Sequence, residues 1–121
     1  MQEGVAFSLK DCFGVIQEMG LPVKRLVLIG GGARSRLWSR IVCDVFNLPV
    51  EIPTPGDASF GTALLAGTGA GVFPDSAAAV RQCLKAERSL EPDPANATRY
   101  AALFQQYRAI HDALAPCYRN R

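Results

Sequence analysis

Three consecutive glycines, Gly30, Gly31 and Gly32, directly follow an apolar run and are the residues whose type and spacing best fit chemistry. Glycine has no Cβ and adopts positive φ, so its backbone amides can approach an anion closely. A helix beginning a few residues later would add its positive end and its unpaired N–H groups. The run therefore predicts a phosphate-holding loop, with Ser35 either capping the helix or donating a hydrogen bond to the ligand.

The identity of the phosphate compound stays open at the level of this motif. Gly30-x-Gly32-x-x-Ser35 nearly matches the dinucleotide fingerprint, and Glu51 stands where an acid would bind ribose. Ser35 replaces the third glycine of that fingerprint, however, and the absence of Gly-Lys-Ser/Thr after the loop excludes a P-loop. A strand-to-helix turn without any ligand is the remaining interpretation.

Two strands and the helix between them are predicted to position the glycine run. Residues 25–29 are short and apolar, which is typical of a strand buried on both faces of a parallel sheet. Residues 35–46 have the spacing of an amphipathic helix, and residues 50–52 predict a second strand. Together they predict a right-handed βαβ unit with parallel strands.

Helices are predicted on both sides of this unit. Residues 3–19 carry an apolar stripe at spacings of three and four, and residues 59–71 form a helix rich in small residues. A shorter helix is predicted over 74–87 and a long one over 96–117, with its end disturbed by Pro116. Because a two-stranded sheet is marginal alone, we expect a piece of a larger protein or one that completes itself by association.

Composition excludes several functional classes. The 121 residues are 49% hydrophobic and 20% charged, which suits one globular core. The net charge of +2 is not gathered into a basic block, which argues against nucleic-acid binding, and no apolar run is long enough for a membrane. The four cysteines form no CxxC pair, so we expect reduced thiols, no metal site and a cytoplasmic protein.

The segment of residues 28–38, Leu-Ile-Gly-Gly-Gly-Ala-Arg-Ser-Arg-Leu-Trp, resembles the FGGY carbohydrate kinases, the group of glycerol kinase and xylulokinase. The resemblance covers nearly the whole chain. It continues through residues 3–7, 43–50, 61–66 and 69–73, and through Arg99, Tyr100 and Tyr107.

The resemblance implies an α/β fold, a C-terminal fragment of an actin-like, ribonuclease H-like sugar-kinase ATPase domain in which helices pack on the βαβ unit. Residues 1–95 would form part of the C-terminal nucleotide-binding domain, and residues 96–121 a C-terminal helix packed on it. The nucleotide would be bound by the glycine turn and the start of the next helix, that is by Gly30, Gly31, Gly32, Ala33, Ser35 and Arg36. Gly61, Thr62 and Ala63 would lie on a helix at the interdomain hinge.

The implied activity is transfer of the γ-phosphate of ATP to D-xylulose, giving D-xylulose 5-phosphate with the help of Mg²⁺. D-Xylulose would bind through the missing N-terminal domain, which in this family holds the catalytic aspartate and the sugar pocket. No catalytic or metal-binding residue is therefore assigned in this chain, and the chain alone is expected to be inactive. A dinucleotide-binding oxidoreductase module, or a non-catalytic fragment that forms a homo-oligomer, are the alternatives.

Overall fold

The structure is a computed structural model that describes residues 1–119, and it contains a small mixed sheet surrounded by helices. In chain order the elements are α1 Gln2–Glu18, β1 Leu26–Val27, α2 Arg36–Phe46, β2 Val50–Thr54, α3 Ala58–Gly69, α4 Ser76–Cys83, β3 Lys85–Leu90 and α5 Pro94–Arg119. A single turn of 3-10 helix, Gly31–Arg34, separates β1 from α2. No helix among these described elements is long and apolar enough to cross a membrane.

The sheet confirms the predicted βαβ unit. β1 runs parallel to β2, with Leu26 opposite Val50, and α2 forms the crossover between them. β2 lies in the middle of the sheet because β3 pairs with its other side, so Val50 and Ile52 are almost completely buried. The carboxyl ends of β1 and β2 therefore lie side by side.

The prediction that residues 25–29 form a strand buried on both faces is wrong for the described chain. Only Leu26 and Val27 are assigned to β1, and Val27 and Ile29 are 52% and 57% exposed. β1 pairs with β2 alone, so it is an edge strand with one face open.

The helix predicted over residues 74–87 is also partly wrong. α4 ends at Cys83, and the chain then forms β3, which pairs antiparallel with β2. The residues of β3 are mostly polar and lack an apolar stripe, so their strand conformation depends on the ladder of hydrogen bonds to β2. The sheet consequently has three strands where the sequence pattern indicated two.

α2 is the element around which the core is built. One of its faces packs against the sheet and the 3-10 turn, where it contacts Val50 and Ile52 of β2 and Ala33 of the turn. Another face packs against α1 and α5, in a second cluster that contains Phe7.

Aromatic rings from α5 surround Phe7, with centroid distances of 6.1, 5.8 and 5.6 Å to Tyr100, Phe104 and Tyr107 respectively. The aromatic part of the stripe predicted for α5 is thus confirmed. The apolar stripe predicted for α1 is wrong as the buried face of that helix, because Ala6 and Phe7 are its buried residues, whereas Val5 and Leu9 are 54% and 49% exposed.

Several helix ends follow from single residues. Asp57 and Asp75 cap α3 and α4, since their carboxylates accept hydrogen bonds from the amides of Phe60 and Ala78. Asn47 ends α2 in the left-handed conformation, with φ of 53°. α5 continues through Pro116 to Arg119, contrary to the expectation that this proline would disturb the end of the helix.

Candidate functional site

A cleft of about 730 Å³ opens where β1 and β2 end. Its two main walls are the turn after β1 and the loop of residues 53–57 after β2, and Glu87 and Arg88 of β3 line it from below. The walls are joined by a hydrogen bond of 2.8 Å from the Gly30 amide to the Gly56 carbonyl. Ligands of parallel α/β sheets bind at this edge, beyond the carboxyl ends of the strands.

The backbone of the glycine turn explains why its first position is glycine. Gly30 has φ of 81° and ψ of −170°, a conformation that is essentially restricted to glycine. The chain then folds into one 3-10 turn, in which the amides of Ala33 and Ser35 donate to the carbonyls of Gly30 and Gly32, both at 3.1 Å.

Two amides of this turn remain available to a ligand. Within the described part of the chain, the amides of Gly31 and Gly32 donate to no protein acceptor. This is the usual state of the first N–H groups of a helical turn, and it makes such a turn attractive to anions. The turn can therefore receive a phosphate or another anionic group.

The loop that faces the turn also requires a glycine. A Cβ on Gly56 would lie 2.7 Å from the carbonyl oxygen of Pro53, closer than real contacts allow. The loop is therefore tightly folded at the place where it accepts the hydrogen bond from Gly30, so the two walls of the cleft are held at a defined separation.

The structure divides the six residues that the sequence singled out. Four of them line the cleft: Gly30, Gly31, Ala33 and Arg36. Gly32 instead packs against the indole of Trp38, since a Cβ there would lie 3.3 Å from the ring. Ser35 does not line the cleft; its Oγ accepts a hydrogen bond of 3.2 Å from the Trp38 amide, which makes it the N-cap of α2.

Because Ser35 is an N-cap, Ser35→Ala is expected to reduce the free energy of unfolding by about 1 kcal/mol. Urea denaturation measures this difference. Ser89→Ala, at an exposed position of β3, is the matched control and should change stability by less than about 0.5 kcal/mol. Equal stability of the two variants would contradict the capping role.

Sequence reasoning did not assign four charged residues of the cleft: Arg34, Asp57, Glu87 and Arg88. Arg34 stands between the predicted site residues Ala33 and Ser35, and Asp57 stands just before the helix predicted over residues 59–71. Their proximity in sequence to these motifs was therefore an available signal. Glu87 and Arg88 gave no signal, because their segment was predicted to be helical. With Arg36, the cleft is lined by three arginines and by two acids, Glu87 of β3 and Asp57 at the start of α3.

Asp57 remains ionised at neutral pH. Its pKa is lowered by the hydrogen bond that its carboxylate accepts from the Ser59 hydroxyl, by the Phe60 amide, and to a lesser extent by the positive charge of Arg34. The carboxylate also caps α3 by accepting the hydrogen bond from the Phe60 amide. Among the described residues, no group of three or more histidines, cysteines and acids could hold a metal ion.

Glu51, the acid that a dinucleotide site would need, lies outside the cleft. Its carboxylate pairs with the guanidinium of Arg25, on the neighbouring strand segment. β3 is in addition antiparallel to β2, whereas a dinucleotide-binding sheet would continue with parallel strands. The geometry therefore does not favour the dinucleotide interpretation.

Solved structures with the same fold define the class of protein. The xylulose kinase from Rhodospirillum rubrum superimposes with a TM-score of 0.80 and 28% identity over 98% of this chain and 24% of its own. A ligand-bound xylulose kinase and a gluconate kinase from Lactobacillus acidophilus each give a TM-score of 0.84, over 94% of this chain, at 24% identity. The fold is that of the C-terminal part of sugar kinases of the actin-like ATPase class, as predicted.

The sequence comparison identifies the family within that class. The model of the FGGY family of carbohydrate kinases, C-terminal domain, matches residues 1–70, which include α1, the glycine turn and all of α3. The chain belongs to this family.

Curated relatives carry two names. The autoinducer-2 kinase of Enterobacter sp. (strain 638) is 39% identical over 93 residues, which are 76% of this chain and 18% of the relative. The xylulose kinase of Staphylococcus epidermidis (strain ATCC 35984) is 31% identical over 110 residues, which are 90% of this chain and 22% of the relative. The chain thus spans about a fifth of the length of the relatives that it matches.

Proposed function

We propose that this chain forms the ATP-binding side of the active site of a sugar kinase, which transfers the γ-phosphate of ATP to D-xylulose and gives D-xylulose 5-phosphate. The observation that carries the proposal is the cleft of about 730 Å³ at the ends of β1 and β2, which is lined by Gly31, whose amide donates to no acceptor in the described chain, and by the positively charged Arg34 and Arg36. Donors of this kind suit a nucleotide phosphate.

In this proposal the residues of the turn have different tasks. Gly30 supplies the bend and fastens the turn to Gly56, and the amides of Gly31 and Gly32 receive a phosphate oxygen. The backbone of Ala33 lies against the adenosine, and Arg36 adds positive charge to the cleft. Ser35 acts indirectly, because its hydroxyl caps the helix that supports the turn.

The packing supports a proposed domain organisation in which residues 1–95 form the partial nucleotide-binding domain and residues 96–121 a C-terminal helix packed on it. The observed helix, α5, covers Pro94–Arg119, so it begins two residues before that boundary, and residues 120–121 lie outside the described part of the chain. The described part of that helix contacts α1 through Phe7 and its aromatic neighbours, and it contacts α2 through the second core cluster. It therefore supports α2, at whose N-terminus the glycine turn lies.

Xylulose is proposed as the substrate because the relatives and structures that cover nine-tenths or more of this chain include xylulose kinases. The 39% identity to an autoinducer-2 kinase makes that kinase's substrate the second candidate. A phosphorylation assay of the full-length protein with D-xylulose, D-gluconate and autoinducer-2 separates them. Preference for autoinducer-2 or gluconate by kcat/KM would overturn the xylulose proposal.

We expect the chain alone to be inactive. Phosphoryl transfer needs the nucleotide, a metal ion and the acceptor to be positioned together. Mg²⁺ in kinases is bound largely by the phosphates, together with one or two carboxylates, so it would enter with ATP. We propose the cytoplasm as the compartment of the protein. The apolar side chains of Val27, Leu65 and Val72 are more than half exposed, which supports contact with a further domain or with another copy of the chain.

Calorimetric titration with ADP, ATP and NAD tests the nucleotide proposal. ADP and ATP are expected to bind the chain, and NAD at least about tenfold more weakly, because Glu51 is paired with Arg25 and cannot accept the ribose hydroxyls. Tighter binding of NAD than of ADP would overturn the proposal. A folded chain that binds none of the three would favour the non-catalytic, self-associating alternative.

A further inference from the structure

Arg88 connects β3 to the glycine turn. It lies opposite Ile52 in the antiparallel pair of β3 and β2, and its half-buried side chain reaches across the floor of the cleft. Its Nη2 donates a hydrogen bond of 2.8 Å to the carbonyl oxygen of Ala33, and it lies 3.4 Å from the Oγ of Ser39.

The carbonyl of Ala33 is therefore the meeting point of two donors. The hydroxyl of Ser39, which is completely buried, lies 3.2 Å from the same oxygen and 2.9 Å from the carbonyl oxygen of Ser35, so its single proton is shared between these two acceptors. Because a peptide unit is planar, fixing this carbonyl also fixes the plane that carries the Arg34 amide. The last peptide of the 3-10 turn is thus held from the sheet and from α2 together.

The guanidinium makes this contact stronger than a neutral donor would. Among the described residues, no carboxylate lies within 4.0 Å of Arg88, so its charge is not neutralised by an ion pair. A hydrogen bond from a charged donor is about twice as strong as one between neutral groups. The turn would lose its firmest contact with the sheet if Arg88 were removed.

We propose that Arg88 is a positioning residue for the nucleotide, which acts by holding the Gly31–Arg34 turn through the carbonyl of Ala33. The inference rests on the proposed nucleotide-binding function and adds a residue outside residues 1–70, the part that the family model matches. In this proposal β3, whose residues carry no binding motif, helps to position the backbone amides that bind the phosphate.

The test is a double-mutant cycle of Arg88→Met and Ser39→Ala, with the affinities for ADP and for adenosine measured by calorimetry. Arg88→Met should weaken both ligands about tenfold, because the loss of one charged hydrogen bond loosens the whole turn. Ser39→Ala should cost about threefold, and the double variant less than the product of the two, since both donors act on one carbonyl. Arg88→Lys should recover part of the loss.

Arg81→Met is the matched control, because Arg81 is an exposed arginine in the last turn of α4 and does not line the cleft. It removes the same charge and should leave both affinities unchanged. Effects of Arg88→Met and Ser39→Ala that simply multiply would overturn the proposal. A loss for ADP but none for adenosine would do the same, because it would indicate direct contact with the phosphates.

Amide hydrogen exchange, measured by NMR without ligand, provides a readout that does not depend on binding. The amides of Ala33 and Ser35 should exchange faster in Arg88→Met, whereas those of α5 should not change. Unchanged exchange at the turn overturns the positioning role even if affinity falls. If the wild-type chain does not bind ADP, the nucleotide function fails, and exchange still decides whether Arg88 holds the turn. Arg88→Lys and Ser39→Ala keep both readouts accessible if Arg88→Met does not fold.

Discussion

Gly31→Val is expected to weaken ADP binding about 100-fold while leaving the fold intact. A Cβ on Gly31 would meet no atom within 4 Å, and its φ is not positive, so the protein itself tolerates the side chain. Gly31 lines the cleft, however, and a branched side chain there would cover the amides that face the ligand. Losing two hydrogen bonds to a charged phosphate, at about 1.5 kcal/mol each, corresponds to roughly that factor.

Calorimetry with ADP measures the loss, and thermal unfolding shows whether the variant is folded. Gly4→Val is the matched control, since a Cβ on Gly4 also meets no atom within 4 Å and Gly4 lies on α1, away from the cleft. It should change the affinity for ADP by less than about twofold, although valine is a poorer helix former than alanine. Wild-type affinity in Gly31→Val would mean that no phosphate approaches this turn.

The elements that the sequence predicted well are those with a strong local pattern. The stripes of α2 and α5 were visible as apolar residues three and four positions apart, and they share one core cluster. The pattern also predicted α1 as a helix but not its buried face, which is formed by Ala6 and Phe7. β3 lacked such a pattern. Lysine, alanine, glutamate and arginine, which open it, favour helix in isolation, and the pairing with β2 overrides that preference.

The exposure of β1 has a related explanation. An apolar run such as residues 25–29 indicates that a strand is suited to apolar surroundings. Here the described residues supply a neighbouring strand, β2, on one side of it only. The open faces of Val27 and Ile29 are therefore a property of the packing partners and not of the run. The apolar pattern alone does not show whether the packing partners of β1 come from this chain or from another one.

The candidate site was predictable in its backbone and much less so in its charges. A glycine run after a strand indicates an anion-binding turn by residue type alone, and the turn lines a cleft of about 730 Å³. Arg88 is different, because it contacts Ala33 across 55 positions of sequence through a strand that no local signal predicted. Two further positions depend on the 3-10 turn. Gly32, which was predicted to bind the ligand, packs on Trp38, whereas Arg34, which was not, lines the cleft.

Asp44 is a buried charged group of α2. It is 1% exposed, and its carboxylate oxygens accept hydrogen bonds of 2.8 Å from the Asp93 amide and 3.1 Å from the Asn96 side chain. A guanidinium nitrogen of Arg40 lies 3.6 Å from the same carboxylate. Asp44 thus joins the last turn of α2 to the beginning of α5, where the two helices would otherwise meet through unpaired polar groups.

Asp44→Ala is expected to lower the free energy of unfolding by about 3 kcal/mol, because it leaves the Asp93 amide and the Asn96 amide group without their buried acceptor. Urea denaturation measures the change. Asp112→Ala, at a carboxylate whose side chain is 77% exposed, is the control and should stay within about 0.5 kcal/mol of the wild type. Asp44→Asn keeps one acceptor oxygen and should fall between the two.

The same variant separates stability from binding. Asp44 lies more than two turns along α2 from the cap at Ser35, and it does not line the cleft. At urea concentrations below its unfolding midpoint, Asp44→Ala should therefore bind ADP with nearly wild-type affinity. Gly31→Val should behave in the opposite way, since it keeps its stability and loses its affinity for ADP. A large loss of affinity in folded Asp44→Ala would show instead that the glycine turn depends on how α2 is held at its far end.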